Sequence, residues 1–376
     1  MQWQSELTID QVKRYSRQVV VPKVKIEGQK ALLKTSVLIV GLGGLGSPVL
    51  MYLATTGIQT IGIVDFDKVE LHNLQRQIIH QESMIGVEKT KSAKSFVNKL
   101  NSTIEIQEHC TVLDSENVFE IIKNYDVIVD CCDSLKLRYI LNDACRILKK
   151  SLICASVLKW EGQICIIENE NACYRCMFPD MKTSAPTCET SGVIGPVCGV
   201  IGSLQANEVV KLILRQNSEP KEYDDSESKI GIIHIFNCFT NSFKVLEKKY
   251  KTCSVCRTKQ MGEIKSLEKC STGMNNQVTS LSWQYIMSNI EKFAIVDIRT
   301  NDQFGMFRVA GSLNIPEVEK NLDMIKSLKK PIVVSCYKGK SSNLAAKFLE
   351  DNGLKAYSAD RGIEGFKEFV GFESLH

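Results

Sequence analysis

The chain has 376 residues, 44% of them hydrophobic and 24% charged, so it can form two domains with cores of ordinary size. Its net charge of +4 is too small to predict nucleic-acid binding. We find no apolar run approaching the ~20 residues that span a bilayer, and no signal-like segment opens the chain. These features predict a soluble, cytoplasmic protein with no direct nucleic-acid or membrane partner.

The first motif in chain order is a glycine-rich turn between a predicted strand at 36–40 and a predicted helix at 44–56. The turn contains Gly41, Gly43, Gly44 and Gly46. Glycines permit a tight turn and let backbone N–H groups and a helix N-terminus approach phosphate. Asp65 ends the next predicted strand, 60–65, where it can accept a hydrogen bond from a ribose hydroxyl. Taken alone, these features suggest a nicotinamide oxidoreductase.

The polar segment after Asp65 argues against an oxidoreductase. Asn73, Gln75 and Arg76 lie in one short stretch, and Lys89 follows soon afterwards. Cations near a phosphate-binding helix end suit charge that develops on a transferring or leaving phosphate. Hydride transfer has no need of that cluster. The alternative reading of these residues is a solvated basic face.

Further strands are predicted at 104–108, 127–130 and 151–155, with helical segments between them and an apolar helix at 199–214. This alternation is typical of a Rossmann-like, parallel-rich sheet with helical crossovers. Asp133 follows the 127–130 strand, so we expect it at the carboxyl edge of the sheet, where open α/β folds bind ligands.

Two C-x-x-C pairs, Cys173 with Cys176 and Cys253 with Cys256, have the spacing of a structural Cys₄ zinc site. Disulfides rarely persist in a reducing cytosol. A redox C-x-x-C normally occurs once and beside a βαβ pattern, and the remaining alternative is packing in an apolar core. We favour Zn²⁺, held without an open coordination position.

The chain loses its periodicity in a polar stretch after the second pair, which predicts a linker at 262–279. A first, larger domain would then occupy 1–261 and a small α/β domain 280–376. In the second domain, strands are predicted at 294–298 and 332–335.

Cys336 follows the 332–335 strand, and its loop leads into a predicted helix at 341–349. Backbone N–H groups of the loop and the helix dipole would stabilise a thiolate or a persulfide anion there. A buried strand-end cysteine is one alternative. A phosphatase-like loop is another, but such a loop would end in Arg where Ser342 stands.

Several motifs in order resemble the MoeB/ThiF family of adenylating enzymes, which are relatives of ubiquitin-activating enzymes. The resemblance covers about residues 10 to 260 and rests on Arg14-Tyr-Ser-Arg-Gln18, the glycine-rich turn, Asp65-Phe-Asp67, Asn73-Leu-Gln-Arg-Gln77, Asp130-Cys-Cys-Asp133 and Cys173-Tyr-Arg-Cys176. Residues 293–342 resemble a rhodanese domain, with a D-x-R strand and a loop that begins with Cys336.

The resemblance implies that the first domain binds ATP and Mg²⁺ and acts as a homodimer. Asp133 would hold Mg²⁺, and Arg17 would reach the nucleotide of the neighbouring subunit. The residues expected to line the nucleotide are Gly41, Gly43, Gly44, Gly46, Asp65, His72, Asn73, Leu74, Gln75, Arg76, Lys89, Asp133 and Ser134.

For the whole chain, the resemblance is to eukaryotic adenylyltransferases and sulfurtransferases that serve molybdopterin synthase and the ubiquitin-related modifier of tRNA thiolation. It implies a bifunctional enzyme that adenylates a small ubiquitin-fold sulfur carrier protein ending in Gly-Gly. Cys336, loaded as a persulfide by an upstream sulfur donor, would then supply the sulfur. The expected catalytic residues are Cys336, Cys188 and Arg76.

Cys188 lies in a polar stretch before the predicted helix at 199–214 and has two possible functional roles. It could release the thiocarboxylate product by thiol attack. Alternatively, it could carry a thioester in an activating enzyme for ubiquitin-like conjugation, with the rhodanese-like domain as a docking module. An unreactive loop thiol is the third reading, because sequence does not reveal its exposure.

Overall fold

The computed structural model describes residues 6–168, 172–179, 192–217, 232–247, 252–261 and 278–371. The chain forms two compact units, within Met1–Lys265 and Ser266–His376. The linker predicted at 262–279 lies almost entirely outside the described residues, so its boundaries remain a prediction.

The first unit contains an eight-stranded sheet in the order β3-β2-β1-β4-β5-β6-β7-β8. Its strands are β1 (Ser36–Val40), β2 (Thr60–Val64), β3 (Glu105–His109), β4 (Val127–Asp130), β5 (Ser151–Leu158), β6 (Glu161–Ile167), β7 (Ile232–Asn237) and β8 (Ser242–Glu247). The first five strands are parallel, and β6 to β8 add an antiparallel meander that the sequence analysis did not predict.

Helices cover both faces of this sheet, which confirms the predicted Rossmann-like class. The helices are α1 (Ile9–Val19), α2 (Lys25–Lys34), α3 (Gly46–Thr56), α4 (Lys89–Leu100), α5 (Val118–Ile122), α6 (Leu135–Leu148), α7 (Tyr174–Met177), α8 (Gly195–Gln216) and α9 (Ser254–Thr258). The sheet's two faces lie in separate hydrophobic clusters because consecutive side chains of each central strand point to opposite faces.

Helix α8 is a core helix of this unit. Among the described residues it is the one helix long and apolar enough to cross a membrane by length and composition, and 56% of its apolar window is buried. It packs against α3 and against strands β5 and β6. Buried positions recur along it at Val197, Ile201, Gln205 and Val209, which follow one helical face.

The second unit has a five-stranded parallel sheet in the order β11-β10-β12-β13-β9. The strands are β9 (Ser280–Leu281), β10 (Ala294–Asp297), β11 (Leu313–Asn314), β12 (Ile332–Ser335) and β13 (Ala356–Ala359). The helices are α10 (Trp283–Ser288), α11 (Asn301–Met306), α12 (Leu322–Ser327), α13 (Lys340–Asp351) and α14 (Gly362–Phe369). A hydrophobic cluster lies on each face of this sheet.

Strand order determines which loops can form a site in the first unit. Strand β1 is central, with β2 on one side and β4 on the other, and the chain reaches β4 by crossing back from the edge strand β3. The loops that follow β1 and β4 therefore lie next to each other at the carboxyl edge, which is the ligand-binding position of open parallel sheets.

Candidate functional site

The turn between β1 and α3 requires glycine at its two ends. Gly41 has a φ of +93°, and a Cβ at Gly46 would lie 2.0 Å from the Gly41 carbonyl oxygen. Side chains are strained at such a φ, and that contact distance is impossible for any residue with a Cβ. The turn is therefore tight because of these glycines, and α3 begins directly at its end.

The turn lies beside the Asp130–Asp133 loop, as the sheet order requires. A Cβ at Gly41 would lie 3.0 Å from the carbonyl oxygen of Cys131. Gly43 and Gly44, between the two constrained glycines, are partly exposed. The structure thus places the turn against the loop that carries Asp133, which the sequence analysis assigned to the same site.

Asp65 supports the turn through its side chain. Asp65 Oδ2 accepts from the Leu42 backbone N–H at 2.8 Å, and Oδ1 accepts from the Asp67 N–H at 2.9 Å. Burial raises the pKa of Asp65, while the Lys89 charge and these two N–H groups oppose that rise. Each oxygen keeps a second lone pair, so the predicted ribose contact remains open to Asp65.

His80 contacts the other backbone polar group of Leu42, its carbonyl, and sequence reasoning missed this residue. The Leu42 carbonyl lies 3.1 Å from His80 Nε2, and Ser92 Oγ lies 2.9 Å from His80 Nδ1. Because a carbonyl can only accept, Nε2 carries the proton and Nδ1 accepts from the Ser92 hydroxyl. Burial lowers the pKa of His80 to about 4, so the ring is neutral near pH 7.

Lys89 is the first residue of α4 and is 5% exposed. Its ammonium group lies 2.9 Å from Asp67 Oδ2, on the loop that follows β2. The charged group that the sequence analysis assigned to the triphosphate is thus held at a helix end by a half-exposed carboxylate. A phosphate group could share this cation with Asp67.

The segment 72–76 forms a compact loop against the glycine-rich turn. Asn73 is buried, and its Oδ1 accepts from the Glu70 N–H at 3.2 Å. Arg76 donates to the His72 carbonyl at 3.1 Å, and a Cβ at Gly44 would lie 3.4 Å from Arg76 Cγ. Arg76 therefore lies beside the turn, whereas the Asn73 side chain stabilises the loop through its hydrogen bond to the Glu70 N–H. Gln75 is exposed and Leu74 is half-buried.

The two aspartates of the β4 loop have opposite environments. Asp130 is fully buried, with Oδ2 2.6 Å from Arg138 Nε of α6 and Oδ1 accepting from the Cys132 N–H at 3.0 Å. Asp133 is exposed. Ser134 caps α6 by accepting from the Leu137 N–H at 3.3 Å, so its observed role is structural.

Two residues that sequence reasoning missed complete this loop. Arg138 also donates to the carbonyls of Cys132 and Ala155 at 3.0 and 2.6 Å. Gln205 of α8 donates to the carbonyls of Asp130 and Ile153 at 2.8 and 3.0 Å. An Arg among apolar residues of α6 and a Gln on an apolar face of α8 were the available signals. Asp133 is the carboxylate of this loop that stays available for Mg²⁺, which prefers such oxygen ligands.

Arg17 lies in the last turn of α1, and its side chain is exposed. Its expected role across a dimer interface remains a prediction. Cys188 lies outside the described residues, so its position relative to the turn is likewise still a prediction.

The four predicted zinc ligands converge. Their sulfur atoms all lie within 4.8 Å of one another. The Cys173–Cys176, Cys173–Cys253 and Cys176–Cys256 sulfur pairs are separated by 3.6, 3.5 and 3.7 Å. A tetrahedral site with Zn–S bonds of ~2.3 Å requires sulfur separations of ~3.8 Å. A disulfide requires ~2.05 Å, so the geometry fits a metal.

Burial alone disfavours thiolates at this cluster, and a bound cation would offset that cost. Burial raises the pKa of the Cys173 thiol above its ordinary value, and a bound metal reverses that effect by stabilising thiolates. Arg175, between the first two ligands, forms a two-point ion pair with fully buried Asp143 at 3.1 and 2.7 Å. This pair joins the first C-x-x-C segment to α6, and the metal would join the second segment to it.

In the second unit, Cys336 lies at the end of β12 and is 6% exposed. Its Sγ accepts from the Gly339 N–H at 3.1 Å and lies 3.4 Å from Ser342 Oγ. Gly339 has a φ of +86°, which turns its N–H back toward the sulfur, and α13 starts at the next residue. The loop therefore offers a backbone donor and a helix N-terminus to an anionic sulfur.

The shape of this loop depends on its neighbours. A Cβ at Gly362 would lie 2.2 Å from the Cys336 carbonyl, which accepts from the Ile363 N–H at 2.8 Å. The D-x-R motif is a buried ion pair, with Arg299 Nη2 2.8 Å from Asp297 Oδ2 and also bonded to the Phe307 carbonyl. Its role is to anchor the loop after β10.

The Cys₄ cluster gives a direct test of metal binding. We expect the parent protein to contain about one zinc ion per chain. Cys256→Ser should lose most of that zinc and should have a lower Tm, because a structural site needs all four ligands. Zinc is measured by elemental analysis and Tm by calorimetry. Cys145→Ala, a buried cysteine outside the cluster, should keep its zinc. A parent chain without zinc contradicts the assignment.

The buried imidazole of His80 predicts a pH dependence of stability. Its pKa falls from 6.5 to about 4 on folding, so the folded state binds fewer protons. This contribution is complete above pH 6.5 and is lost as the pH falls through 4. The free energy of unfolding should therefore decline more steeply over this window in the parent than in His80→Gln. The free energy of unfolding is measured by urea denaturation at several pH values. An equal pH dependence in the parent and in His80→Gln would contradict the prediction. His72→Gln, which changes an exposed histidine, is the control.

Comparison with known proteins agrees with the interpretation of each of the two units. Residues 15–258 match the ThiF family, and residues 280–369 match the rhodanese-like domain. Adenylyltransferase and sulfurtransferase MOCS3 of Aedes aegypti is 34% identical, over 92% of this chain and 83% of that protein. MOCS3 of Dictyostelium discoideum is 37% identical, over 85% and 80%.

A yeast relative and a solved structure extend the comparison. Adenylyltransferase and sulfurtransferase UBA4 of Candida albicans is 32% identical, over 92% of this chain and 84% of that protein. The fold resembles the crystal structure of E. coli MccB with ATP, at a TM-score of 0.55 and 24% identity, over 65% of this chain and 74% of that chain. The nicotinamide oxidoreductase reading is therefore set aside. The chain belongs to the ThiF family and joins its ThiF domain to a rhodanese-like domain, as the adenylyltransferase and sulfurtransferase enzymes do.

Proposed function

We propose that this enzyme adenylates the C-terminal glycine of a small ubiquitin-fold sulfur carrier protein and then converts that terminus to a thiocarboxylate. The sulfur comes from a persulfide on Cys336. The product serves 2-thiolation of the tRNA wobble uridine, molybdenum cofactor biosynthesis, or both. The observation that carries the proposal is the presence in one chain of two features. One is a tight glycine-rich turn that lies beside Arg76 and against the loop that carries Asp133, with buried Lys89 paired to Asp67 at the start of α4. The other is a loop that directs the Gly339 N–H at the Cys336 sulfur.

Adenylation requires orientation and charge stabilisation but no general base. The carrier's carboxylate is already an anion, and one of its oxygens attacks the α-phosphorus of ATP as the bond to pyrophosphate breaks. Arg76, beside Gly44, and Lys89, at the start of α4, would offset the charge that builds on the phosphates. Asp133 would hold Mg²⁺, which when bound neutralises phosphate charge.

Sulfur transfer uses the Cys336 loop. The terminal sulfur of the persulfide attacks the acyl carbon, AMP leaves, and an acyl disulfide joins the carrier to Cys336. A thiol, which we assign to Cys188, then attacks the Cys336 sulfur. This releases the thiocarboxylate and leaves a Cys188–Cys336 disulfide for an external dithiol to reduce. The Gly339 N–H would stabilise the Cys336 thiolate, which is the form of this residue before it is loaded with sulfur and after the disulfide is reduced.

Other parts of the proposal rest on the family resemblance. A homodimer would place Arg17 at the neighbouring subunit's nucleotide, an upstream donor would load Cys336, and the enzyme would work in the cytoplasm. The exposure of Arg17 on α1 is compatible with a contact between subunits.

The main test separates the two reactions. We expect Cys336→Ala to keep carrier-dependent ATP–pyrophosphate exchange within about twofold of the parent and to form no thiocarboxylate, because adenylation precedes sulfur attack. Exchange is measured with labelled pyrophosphate. The thiocarboxylate is detected by mass spectrometry as replacement of one oxygen by sulfur, with thiosulfate as the donor.

Two outcomes would contradict this proposal. A parent enzyme without exchange activity toward a Gly-Gly carrier would contradict the adenylation step. Loss of all product in Cys188→Ala, with Cys336→Ala unaffected, would instead support a conjugating activator that works through a Cys188 thioester.

The exposed carboxylate of Asp133 gives a second prediction. We expect Asp133→Asn to slow exchange by roughly 10²-fold or more and to raise the Mg²⁺ concentration needed for half-maximal rate, because the neutral amide is a weaker magnesium ligand. Glu116→Gln, an exposed acidic residue on another loop, is the matched control. An unchanged magnesium dependence in Asp133→Asn would show that this carboxylate does not hold the metal.

A further inference from the structure

Gln77 follows Arg76 on the loop that packs against the glycine-rich turn. Its backbone N–H donates to the Asn73 carbonyl at 3.0 Å, and its carbonyl accepts from the His80 N–H at 3.0 Å. The main chain at Gln77 is therefore fixed on both sides. Its side chain starts from a determined position and is only 3% exposed.

The carboxamide of Gln77 lies next to the partly exposed centre of the turn. A Cβ built at Gly43 would lie 3.7 Å from Gln77 Nε2, and it would meet no other described residue within 4 Å beyond its chain neighbours. The space in front of Gly43 is thus open except for this amide. A ligand that approaches the backbone of Gly43 also approaches Gln77.

The amide has no hydrogen-bond partner among the described residues. Gln77 Oε1 is fully buried and unsatisfied, and no hydrogen bond of Nε2 is found either. Buried polar groups in native proteins are nearly always satisfied by protein, water or ligand, because an unmade bond is costly. A side chain kept in this state beside an open turn is best explained by a ligand that completes it.

Gln29 shows what a structural amide looks like in the same unit. It is fully buried, its Oε1 accepts from Gln18 Nε2 at 2.7 Å, and its Nε2 donates to the Thr56 carbonyl at 3.1 Å. Both ends of that amide are used to join α1, α2 and α3. Gln77 makes no comparable connection.

We propose that Gln77 is a further nucleotide-binding residue, whose carboxamide contacts the phosphate chain at the glycine-rich turn. The Nε2 group would donate to a phosphate oxygen, and a water bound with the phosphates would donate to Oε1. This inference rests on the proposed ATP site. It adds an uncharged donor to the charges of Arg76 and Lys89, at the point where the turn's backbone faces the ligand.

The test compares the binding of Mg·ATP and of adenosine with thermal stability in two matched variants. We expect Gln77→Leu to retain or exceed the parent Tm, since an unsatisfied amide is removed, and to weaken Mg·ATP binding about tenfold with adenosine binding unchanged. Gln29→Leu should do the opposite, with a lower Tm and unchanged Mg·ATP affinity. Affinities are measured by calorimetry without the carrier protein.

A third variant keeps the test decisive. Gln77→Glu has the same shape and places a negative charge by the phosphates, so it should weaken Mg·ATP binding further while sparing adenosine. Unchanged Mg·ATP affinity in Gln77→Leu, or an equal loss of ATP and adenosine binding, would overturn the inference. A parent chain that binds no Mg·ATP would instead contradict the proposed function.

Discussion

The first unit depends on the close approach of Gly46 to the carbonyl of Gly41, at a distance that excludes any Cβ. This contact lets β1 lead into α3 through a tight turn, residues 41–45, so the helix N-terminus and the backbone of Gly43 and Gly44 meet the same space. Leu42 within the turn is held at its backbone N–H by Asp65 and at its carbonyl by His80. A rigid turn of this kind can bind phosphate with little reorganisation on binding.

Buried polar groups support the site, and the exposed neighbours of those groups are left for chemistry. Both carboxylate oxygens of Asp130 accept hydrogen bonds, one from Arg138 and one from a backbone N–H, whereas Asp133, three residues later, is exposed. In the second unit, the buried Asp297–Arg299 pair supports β10, which pairs with β12, the strand that Cys336 follows. Removing one partner from such a buried pair leaves an uncompensated charge, so these supporting residues are expected to tolerate little change.

Cysteine serves two different purposes in this chain. Four thiols converge to the separations of a tetrahedral metal site and connect segments 80 residues apart in sequence. Cys336 instead stands alone at a strand end, with the Gly339 N–H turned toward its sulfur. A metal held by the first arrangement would remove nucleophilicity by coordination, and the second is suited to stabilising an anion that can attack. The paired C-x-x-C spacing in the sequence distinguished the two uses. The sulfur separations of the cluster and the Gly339 contact of Cys336 give their physical basis.

The sequence by itself determined the class of fold, the central strands and the residues at the carboxyl edge, because these depend on local patterns. Strands β1, β4 and β12 begin and end where periodicity predicted. The meander from β6 to β8 was missed because its outer strand is largely exposed and lacks a buried apolar run. Only the tertiary structure decided that His80, Arg138 and Gln205 hold the site and that Gln77 is left unsatisfied. Those roles depend on contacts between residues far apart in the chain, which no local pattern records.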